Sequence, residues 1–412
     1  MLTDVLVPGN RWDLLDPYPA PRPRVSVVVA HYEQPAALAR TWAALCGQTL
    51  PPVDVVIADD GSAVPPQPPG GGPPVQVRTQ PDLGFRAAAA RNLGARHTTG
   101  EVLVFLDADT VPEPRFLEML TRRVAVCPDV LAVGRRRHAD LGALPAGADQ
   151  STAPELPEPA WLREGYAASR DLLDADGRSF RFVISAVMAC RRSLFDDLGG
   201  FDERFVGYGG EDWDLAYRAW NAGAVLVHER DAVAWHDGPD WAGRPDERSR
   251  KDLESARLAA LIPEPTTRGP VPPGDLPDVL VDVAAGLPAA DTARVVAALR
   301  RQDHRDLRVR SPEHPPWTPD QLRRARVWVE VDAPVPPTAI GAAVDALVDG
   351  DLGTVVLVMG GRRVGSATST RAWGRARRWA ARFPPALVRR AAFGQDVVEL
   401  AARPGIGLYG TG

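Results

Sequence analysis

Two acidic segments, about a hundred residues apart, contain carboxylates that could bind a metal ion or abstract a proton. The stretch Gly207-Tyr208-Gly209-Gly210-Glu211-Asp212-Trp213-Asp214 joins three glycines, which let backbone approach a ligand closely, to adjacent carboxylates. Upstream, Asp107-Ala108-Asp109 follows an apolar run. One acidic pair suits a metal ion and the other suits proton abstraction. Together they indicate an enzyme that acts on a phosphorylated substrate.

The upstream pair is a candidate metal site. Asp107 and Asp109 could point to one side of a turn, and their hard oxygen ligands suit Mg²⁺ or Mn²⁺ that also reaches substrate phosphates. The alternative is a solvated turn in which an aspartate caps the next helix. The position directly after a predicted strand at 102–106 favours the metal interpretation. His236, which ends a later apolar strand, is a candidate third ligand, although a single histidine is more often structural.

The downstream carboxylates are candidates for general-base chemistry. Glu211 and Asp212 open a predicted helix over 211–221, where the helix dipole favours an ionised carboxylate. Simple N-capping is the alternative, but it requires one carboxylate and this turn holds three. Trp213 could stack on a sugar or base, or it could pack in the core, which is the commoner fate of tryptophan.

The elements that position these residues alternate between strands and helices. That alternation predicts an open α/β sheet, in which ligands bind at the carboxyl ends of the strands. Polar groups cluster at those ends, in His31-Tyr32-Glu33 and in Asp59-Asp60-Gly61-Ser62. The predicted strands are 24–30, 53–58, 75–78 and 102–106, and the predicted helices are 35–46, 85–97 and 114–126.

Asp60 and Arg91 each have two interpretations. Asp60 could bind a base or a sugar hydroxyl, or it could stabilise its own Asx-turn. Arg91, on the predicted helix 85–97, could face a diphosphate, or it could orient Asp60 or Asp107 through a salt bridge. The residues alone leave both alternatives open.

The later part of the chain is patterned less regularly. We expect an insertion or mobile loop between 139 and 176, followed by an apolar stretch at 182–189. Strands are expected at 225–227 and 233–235, and helices at 191–198 and 248–261. The predicted organisation is a leader (1–23), a catalytic domain (24–245), a linker (246–275) and a C-terminal α/β domain (276–412). The run 327–334 is similar to 102–109, and 297–302 to 43–48, so a degenerate repeat is plausible, with coincidence as the alternative.

Bulk properties limit the function classes. A chain of 412 residues favours two domains, and a net charge of −5 gives no basic field for nucleic acid. Three cysteines do not form a disulfide framework, and no apolar run has the length of a membrane span. We therefore expect a cytoplasmic protein.

The arginine-rich segment 371–390 could touch the inner face of a membrane, or more simply pack on its own domain. One lysine among 48 basic residues, together with abundant Ala, Pro and Gly, indicates a GC-rich genome, and we expect a bacterial source.

Taken in order, these motifs resemble the family-2 glycosyltransferases with the GT-A fold, over residues 24–238. The segment 199–214 is especially similar to the galactosyltransferase and chondroitin-polymerase branch. The resemblance implies transfer from a nucleotide sugar, most often a UDP-sugar, to an acceptor hydroxyl, with inversion and with Mn²⁺ or Mg²⁺. Processive and two-module relatives carry a second such domain, which gives residues 276–412 a precedent.

The resemblance also implies roles for the site residues. Asp212 is the expected base, and Glu211, Trp213 and Tyr208 are the expected acceptor contacts. The segment His31-Tyr32-Glu33 departs from the Tyr/Phe-Asn pattern of the family, so the identity of the nucleotide base in the donor stays open. The nucleotide-sugar site is expected to comprise His31, Glu33, Asp60, Arg91 and Asp107, and the metal site Asp109, Asp107 and His236.

Several classes compete with this interpretation. A sugar nucleotidyltransferase would use a similar sheet, but no Gly-rich basic loop for a triphosphate is present. A non-catalytic nucleotide-sugar-binding or scaffold protein is the second alternative. A dehydrogenase is disfavoured because no Gly-x-Gly-x-x-Gly follows the first strand. A glycosidase stays open, since carboxylate separation cannot be read from sequence. The acceptor is expected to be a glycan, a lipid-linked sugar or a small molecule.

Overall fold

The computed structural model describes residues 2–239, 247–269, 274–380, 382–384 and 393–400. The chain divides into two compact units. The first unit runs up to Trp220 and includes Ala224–Leu258, and the second contains Asn221–Gly223 and the chain from Ala259 onward.

The first unit is built on a mixed sheet whose central strands are buried on both faces. Its strands are β1 (Val25–His31), β2 (Asp54–Asp59), β3 (Val75–Thr79), β4 (Val102–Asp107), β5 (Thr110–Pro112), β6 (Val130–Ala139), β7 (Glu155–Leu156), β8 (Val187–Arg191) and β9 (Val225–Asp237). Its helices are α1 (Pro35–Cys46), α2 (Ala87–Arg96), α3 (Phe116–Val126), α4 (Ala160–Ala168), α5 (Arg192–Leu198), α6 (Glu211–Asn221) and α7 (Glu247–Leu261), the last of which continues past the unit boundary.

The strand order in this sheet is β3-β2-β1-β4-β8-β6-β9-β5, and β7 pairs with β6. β3, β2, β1 and β4 are mutually parallel, and β8 runs antiparallel to both β4 and β6. The β-branched and apolar runs of β1, β2 and β4 are nearly inaccessible to solvent, which is typical of parallel strands covered by helices on both faces. The predicted α/β class is therefore confirmed.

Three sequence expectations for the first unit differ from the structure. The segment 139–176 is not simply a loop, because it contains β7 and α4. The two short strands expected at 225–227 and 233–235 form one strand, β9, with an irregularity opposite Gly134 and Arg135. β6 was not predicted, since only its first half is a continuous apolar run before Arg135-Arg136-Arg137.

The N-terminal segment, interpreted above as a leader, packs on the first unit. Thr3 and Val5 donate backbone hydrogen bonds to the carbonyls of Ala125 and Val126 at the end of α3. The Asn10 amide donates to the Leu226 carbonyl at 2.9 Å. These bonds tie the segment to both α3 and β9.

The second unit is a smaller α/β domain, as the sequence predicted. Its sheet has the order β11-β10-β12-β14-β13-β15. The elements are α8 (Pro265–Arg268), β10 (Val279–Val283), α9 (Ala289–Leu299), β11 (Leu307–Arg310), α10 (Pro319–Arg324), β12 (Val327–Val331), α11 (Ala339–Asp349), β13 (Leu352–Met359), β14 (Arg362–Ser369), α12 (Thr370–Ala380) and β15 (Gly394–Glu399).

The two sheets share one topology. In the first, the strands β2-β1-β4-β8-β6-β9 are joined parallel, parallel, antiparallel, antiparallel and parallel. In the second, β11-β10-β12-β14-β13-β15 follow the same pattern, and the strands occur in the same order along the chain. The shared topology supports a shortened repeat. β3, β5 and β7 are the strands of the first sheet without a counterpart among the described residues of the second.

α12 covers the described part of the arginine-rich segment. Arg371, Arg375 and Trp379 are at most 5% exposed, so this helix packs on its own domain instead of presenting a free amphipathic face. Residues 381 and 385–390 of that segment lie outside the described residues. None of the helices in the described part of the chain has both the length and the apolar character required to cross a bilayer.

Candidate active site

The carboxyl ends of β1, β2 and β4 lie side by side. His31 is in register with Asp59, and Ala30 with Asp107. Because the three strands are parallel, the residues that follow them open onto one edge of the sheet.

His31 belongs to a buried network at this edge. The Asp59 carboxylate is hydrogen-bonded to His31 Nδ1 at 2.9 Å and accepts from Ser62 Oγ at 2.5 Å. The Gln34 backbone N–H donates to His31 Nε2 at 3.3 Å, so both ring nitrogens have partners within the protein. Burial raises the pKa of Asp59, but the hydrogen bonds from Ser62 and His31 outweigh it and hold the pKa below its ordinary value. Asp59, which the sequence analysis did not single out, thus fixes His31 in place.

Asp60 and Glu33 stabilise the turns beside this network. Asp60 accepts from the Arg86 backbone N–H and from Gln80 Nε2, both at 2.6 Å. Glu33 has a left-handed backbone with φ 52°, and its carboxylate accepts from the Ala63 N–H at 2.6 Å. Asp60 also faces the cavity described below, whereas Glu33 is not among the residues that line it.

Arg91 joins the two acidic elements. From α2 it donates to Asp107 Oδ1 at 2.7 Å and to Glu211 Oε1 at 2.8 Å. Burial alone would lower the pKa of Arg91, but the charges of Asp107 and Glu211 outweigh it and raise the pKa. The orienting salt bridge considered for Arg91 is therefore present. It fixes the end of β4 against the start of α6.

Asp109 and His236 face each other because β5 pairs with β9. Thr110 is in register with His236, which brings the strand-end aspartate to the histidine. His236 Nε2 lies 3.7 Å from Asp109 Oδ2. Asp109 Oδ2 accepts from Gln34 Nε2 at 3.1 Å, and within the described part of the chain the buried Asp109 Oδ1 has no hydrogen-bond partner. A carboxylate with an unsatisfied oxygen beside an imidazole fits a divalent cation.

The protein supplies a small ligand set for such a cation. Residues 2–239 and the other described ranges contain no group of three or more His, Cys, Asp or Glu side chains arranged to hold a metal ion. Mg²⁺ is commonly held by one or two carboxylates, with waters and substrate phosphates completing its shell. Asp109 and His236 fit this kind of shared site, while Asp107 is held by Arg91.

Asp212 is partly buried in the first turn of α6. Its Oδ1 accepts from the Trp213 N–H at 2.8 Å, and its Oδ2 from the Ser185 N–H at 3.4 Å. Burial and the charge of Glu211 raise the pKa of Asp212 to about 7, against the opposing effect of Arg91. The raised pKa differs from the expectation that the start of a helix favours the ionised carboxylate. The environment of Asp212 therefore favours its protonated form more than that of an ordinary aspartate does.

A cavity of about 600 Å³ opens at this edge of the sheet, within the range of roughly 300–1,000 Å³ that is typical of small-molecule sites. Its wall includes His31, Asp60, Arg91, Asp107, Asp109, Tyr208 and His236 from the predicted set. Glu33, Glu211, Asp212 and Trp213 do not line it, although Glu211 contacts Arg91 directly. The Trp213 ring instead packs edge-on to Trp161 and Phe180.

Two arginines of the cavity wall were missed by the sequence analysis. Arg136 is contributed by β6, and Arg257 by α7, beside Gly207. Arg257 Nη1 lies 3.1 Å from the position that a Cβ on Gly207 would occupy. No local pattern identifies these residues, since only the packing of β6 and α7 brings them to the cavity.

The raised pKa of Asp212 makes a stability prediction. The folded-state pKa of about 7 lies above the unfolded value of about 3.9, so the folded protein holds a proton that the unfolded chain releases between these pH values. This group's contribution to stability therefore decreases as pH rises from about 4 to about 7. Asp212→Asn cannot ionise, and we expect it to raise the melting temperature more at pH 8 than at pH 5, as measured by calorimetry.

The control for this prediction is Asp196→Asn, an exposed aspartate on α5 of the same unit. It should leave the melting temperature unchanged within about a degree at both pH values, since surface substitutions usually have small effects. An equal shift at pH 5 and pH 8 for Asp212→Asn would contradict the assigned titration.

Comparison with known proteins is consistent with this geometry. Residues 26–199 match the family described as glycosyl transferase family 2, and residues 175–229 match that described as the N-terminal domain of galactosyltransferase. The chain is 28% identical to the chondroitin synthase of Escherichia coli over 297 residues, which covers 63% of this chain and 42% of the synthase. It is 30% identical to the pre-mycofactocin glycosyltransferase of Mycobacterium tuberculosis over 281 residues, which covers 64% and 53%.

The curated relatives are longer than the matched region. The chain spans about half or less of the chondroitin synthase, hyaluronan synthase and validoxylamine A glucosyltransferase sequences that it matches. Among solved structures, the mannosyltransferase PcManGT of Pyrobaculum calidifontis, in complex with GDP-Man and Mn²⁺, matches with a TM-score of 0.38 and 19% identity. That match covers 60% of this chain and 67% of the other.

Proposed function

We propose that this chain, which carries a family-2 glycosyltransferase domain over residues 26–199, transfers a sugar from a nucleotide-diphosphate sugar to an acceptor hydroxyl with inversion. The observation that carries the proposal is the connected arrangement of Asp109 with His236, and of Asp107 with Glu211 through Arg91. We assign catalysis to the predicted domain 24–245, a cytoplasmic location to the protein, and the donor to the UDP-sugars.

The donor is proposed to occupy the cavity at the strand ends. His31 and Asp60 lie at the β1 and β2 side of its wall and are assigned to the base and ribose, with Glu33 supporting the turn behind them. Arg136 and Arg257 supply positive charge on the same wall and suit a diphosphate, because guanidinium groups bind phosphate oxygens in a bidentate manner. Asp107 is held in one orientation by Arg91.

Asp212 is proposed to remove the proton of the acceptor hydroxyl while that oxygen attacks the anomeric carbon. A pKa near 7 suits this role, because a general base is most effective when its pKa is close to the working pH. Glu211, fixed by Arg91, and Tyr208 and Trp213 nearby are assigned to the acceptor. A bound Mn²⁺ or Mg²⁺, held by Asp109 and His236, would supply Lewis-acid stabilisation of the leaving diphosphate.

The proposal is tested by screening nucleotide sugars against the full chain. We expect one UDP-sugar to raise the melting temperature when Mn²⁺ is present, since a ligand stabilises the state that binds it. The same donor should then be consumed in a transfer or hydrolysis assay. Binding without any turnover would favour a non-catalytic nucleotide-sugar-binding protein, and release of diphosphate from a triphosphate and a sugar phosphate would favour a nucleotidyltransferase.

The pH dependence of transfer is a separate prediction. Because burial and Glu211 hold the proton on Asp212 below a pH of about 7, the ionised base is scarce in acid and abundant above neutrality. We expect kcat/KM for the acceptor to rise about tenfold per pH unit below pH 7 and to level off above it. A profile that is flat between pH 5 and pH 8 would argue against Asp212 as the base.

A further inference from the structure

A second cavity of the first unit, of about 520 Å³, lies next to the cavity assigned to the donor. Its wall is formed by α4, the residues that follow it, and the edges of β6 and β9. Arg136 lines this cavity and the donor cavity, so the two are neighbours across one side chain. Leu162 and Ile184 provide an apolar part of the wall.

His228 is a buried polar group on the wall of this cavity. Its side chain is 5% exposed and its ring stacks on Tyr166 at 3.6 Å with an interplanar angle of 2°. Nδ1 is hydrogen-bonded to Asp171 Oδ1 at 2.8 Å, which fixes the ring and favours a proton on Nδ1. Nε2 is also buried, and within the described residues it has no hydrogen-bond partner. A buried nitrogen of this kind costs free energy unless a ligand satisfies it.

The charges on the wall favour an anion. Among the described residues, the acidic side chains on the wall are Glu158 and Asp171, and both have basic partners. Glu158 accepts from Arg135 at 2.6 Å, and Asp171 is hydrogen-bonded to both His228 and Arg230. Arg163 and Arg170 pair instead with Glu164 and Asp174, which are exposed and do not line the cavity. Exposed ion pairs contribute little in water, so these two guanidinium groups can turn toward a ligand. The arginines on the wall are Arg135, Arg136, Arg163, Arg170 and Arg230.

One wall residue of this cavity is next in sequence to a residue that hydrogen-bonds Asp212. Ile184, on its wall, precedes Ser185, whose backbone N–H donates to Asp212 Oδ2 at 3.4 Å. Burial raises the pKa of Tyr166 on the same wall, and the nearby charge of Asp212 adds to that rise, which places the proposed base close to this wall. This position suits an acceptor more than a donor.

We propose that this second cavity binds an acidic sugar unit of the acceptor, a pyranoside that bears a carboxylate or a phosphate. The anionic group pairs with the rim arginines, and His228 Nε2 hydrogen-bonds an oxygen of the same unit. The apolar wall beside Tyr166 packs against the sugar ring. This inference rests on the proposed transferase function, and it adds the chemical class of the acceptor.

The test measures binding without any donor. Glucuronate, glucose 6-phosphate and glucose are titrated separately into the full chain by calorimetry, with inorganic phosphate as a fourth probe. We expect at least one acidic sugar to bind about tenfold or more tightly than glucose, and more tightly than phosphate alone, since charge-assisted hydrogen bonds add to those of the ring. The comparison of glucuronate with glucose 6-phosphate identifies which anion is preferred.

The double variant Arg163→Gln/Arg170→Gln tests whether binding occurs in this cavity, because both arginines lie on its wall and neither holds Asp171 or Glu158. It should weaken the acidic sugar at least about tenfold and leave glucose unchanged. Arg294→Gln, an exposed arginine on α9 with a side chain 73% exposed, makes the matched charge change in the second unit and should have no effect. His228→Phe, which keeps a ring against Tyr166, should also weaken the acidic sugar. Equal affinities for glucose and both acidic sugars, or an unaffected double variant, would overturn the inference.

Activity measurements distinguish a failure of this inference from a failure of the proposed function. If the double variant raises KM for an acidic acceptor while donor hydrolysis is unchanged, both stand. Transfer to neutral acceptors alone, with no acidic sugar bound, would overturn the acceptor class and leave the transferase. Acidic sugars that bind to a chain that turns over no nucleotide sugar would instead overturn the transferase proposal, and with it the acceptor role of this cavity.

Discussion

Asp212→Asn is expected to reduce the rate of sugar transfer by about 10²–10⁴-fold, the range typical of losing a general base. Asparagine keeps the size of the side chain and an oxygen that can accept the Trp213 N–H bond, but it cannot take up a proton. Asp212 does not line the donor cavity, so the affinity for the donor should change less than about threefold. Steady-state rates, together with donor titration by calorimetry, measure both quantities.

Asp196→Asn is the matched control, because it makes the same chemical change at an exposed position of the same unit. It should retain the wild-type rate. A variant Asp212→Asn with wild-type activity would remove Asp212 from the mechanism. Equal losses of transfer and of donor binding would mean that the residue acts through the donor site.

The regular elements of the first unit were largely predictable because their sequence patterns are strong. Pro35–Cys46 and Glu211–Asn221 were predicted with the bounds that the structure has, since each has a clear start signal and an amphipathic repeat. β5 was not predicted, because three residues carry no periodicity. β9 was divided in two by the exposed Arg230 and Asp231, which interrupt its apolar run.

The sequence was sufficient to predict the site residues that directly follow the parallel strands. Parallel strands bring the residues after β1, β2 and β4 together, which is a property of the fold class. The contact between Asp109 and His236 depends in addition on β5 pairing with β9, which is a tertiary event. The same limit applies to Arg136, Arg257 and the second cavity. Their positions follow from how distant segments pack, and nothing in the local sequence indicates it.

The two similar sheets differ in the residues at the ends of corresponding strands, and the acidic site residues of the first unit are not all present in the second. β12 corresponds to β4 in both topology and sequence, but it is followed by Asp332-Ala333-Pro334 where β4 ends in Asp107-Ala108-Asp109. β10, the counterpart of β1, ends at Val283 and is followed by Ala284-Ala285, whereas β1 ends at His31. The architecture is therefore kept without the acid that pairs with His236. We accordingly expect one metal-dependent donor site per chain, in the first unit.

Asp109→Ala should abolish the Mn²⁺-dependent part of donor binding and, with it, transfer. Asp109 offers one oxygen that has no hydrogen-bond partner among the described residues and a second one 3.7 Å from His236 Nε2. Removing Asp109 therefore leaves His236 as the remaining residue assigned to the cation. Even changes outside the ligand shell cost roughly 10–100-fold in metal affinity, and the loss of a ligand should cost at least as much. Calorimetric titration of the donor, with Mn²⁺ and with a chelator, measures the effect.

Asp332→Ala is the control for this variant, because it removes an aspartate from the end of the corresponding strand in the second unit. It should leave Mn²⁺-dependent donor binding at the wild-type level and a stoichiometry of about one donor per chain. His236→Ala should resemble Asp109→Ala, since both side chains are assigned to one cation. Unchanged titration of Asp109→Ala would show that the cation, if it is needed, is bound elsewhere. Losing half of the bound donor in Asp332→Ala would instead place a second site in the repeat.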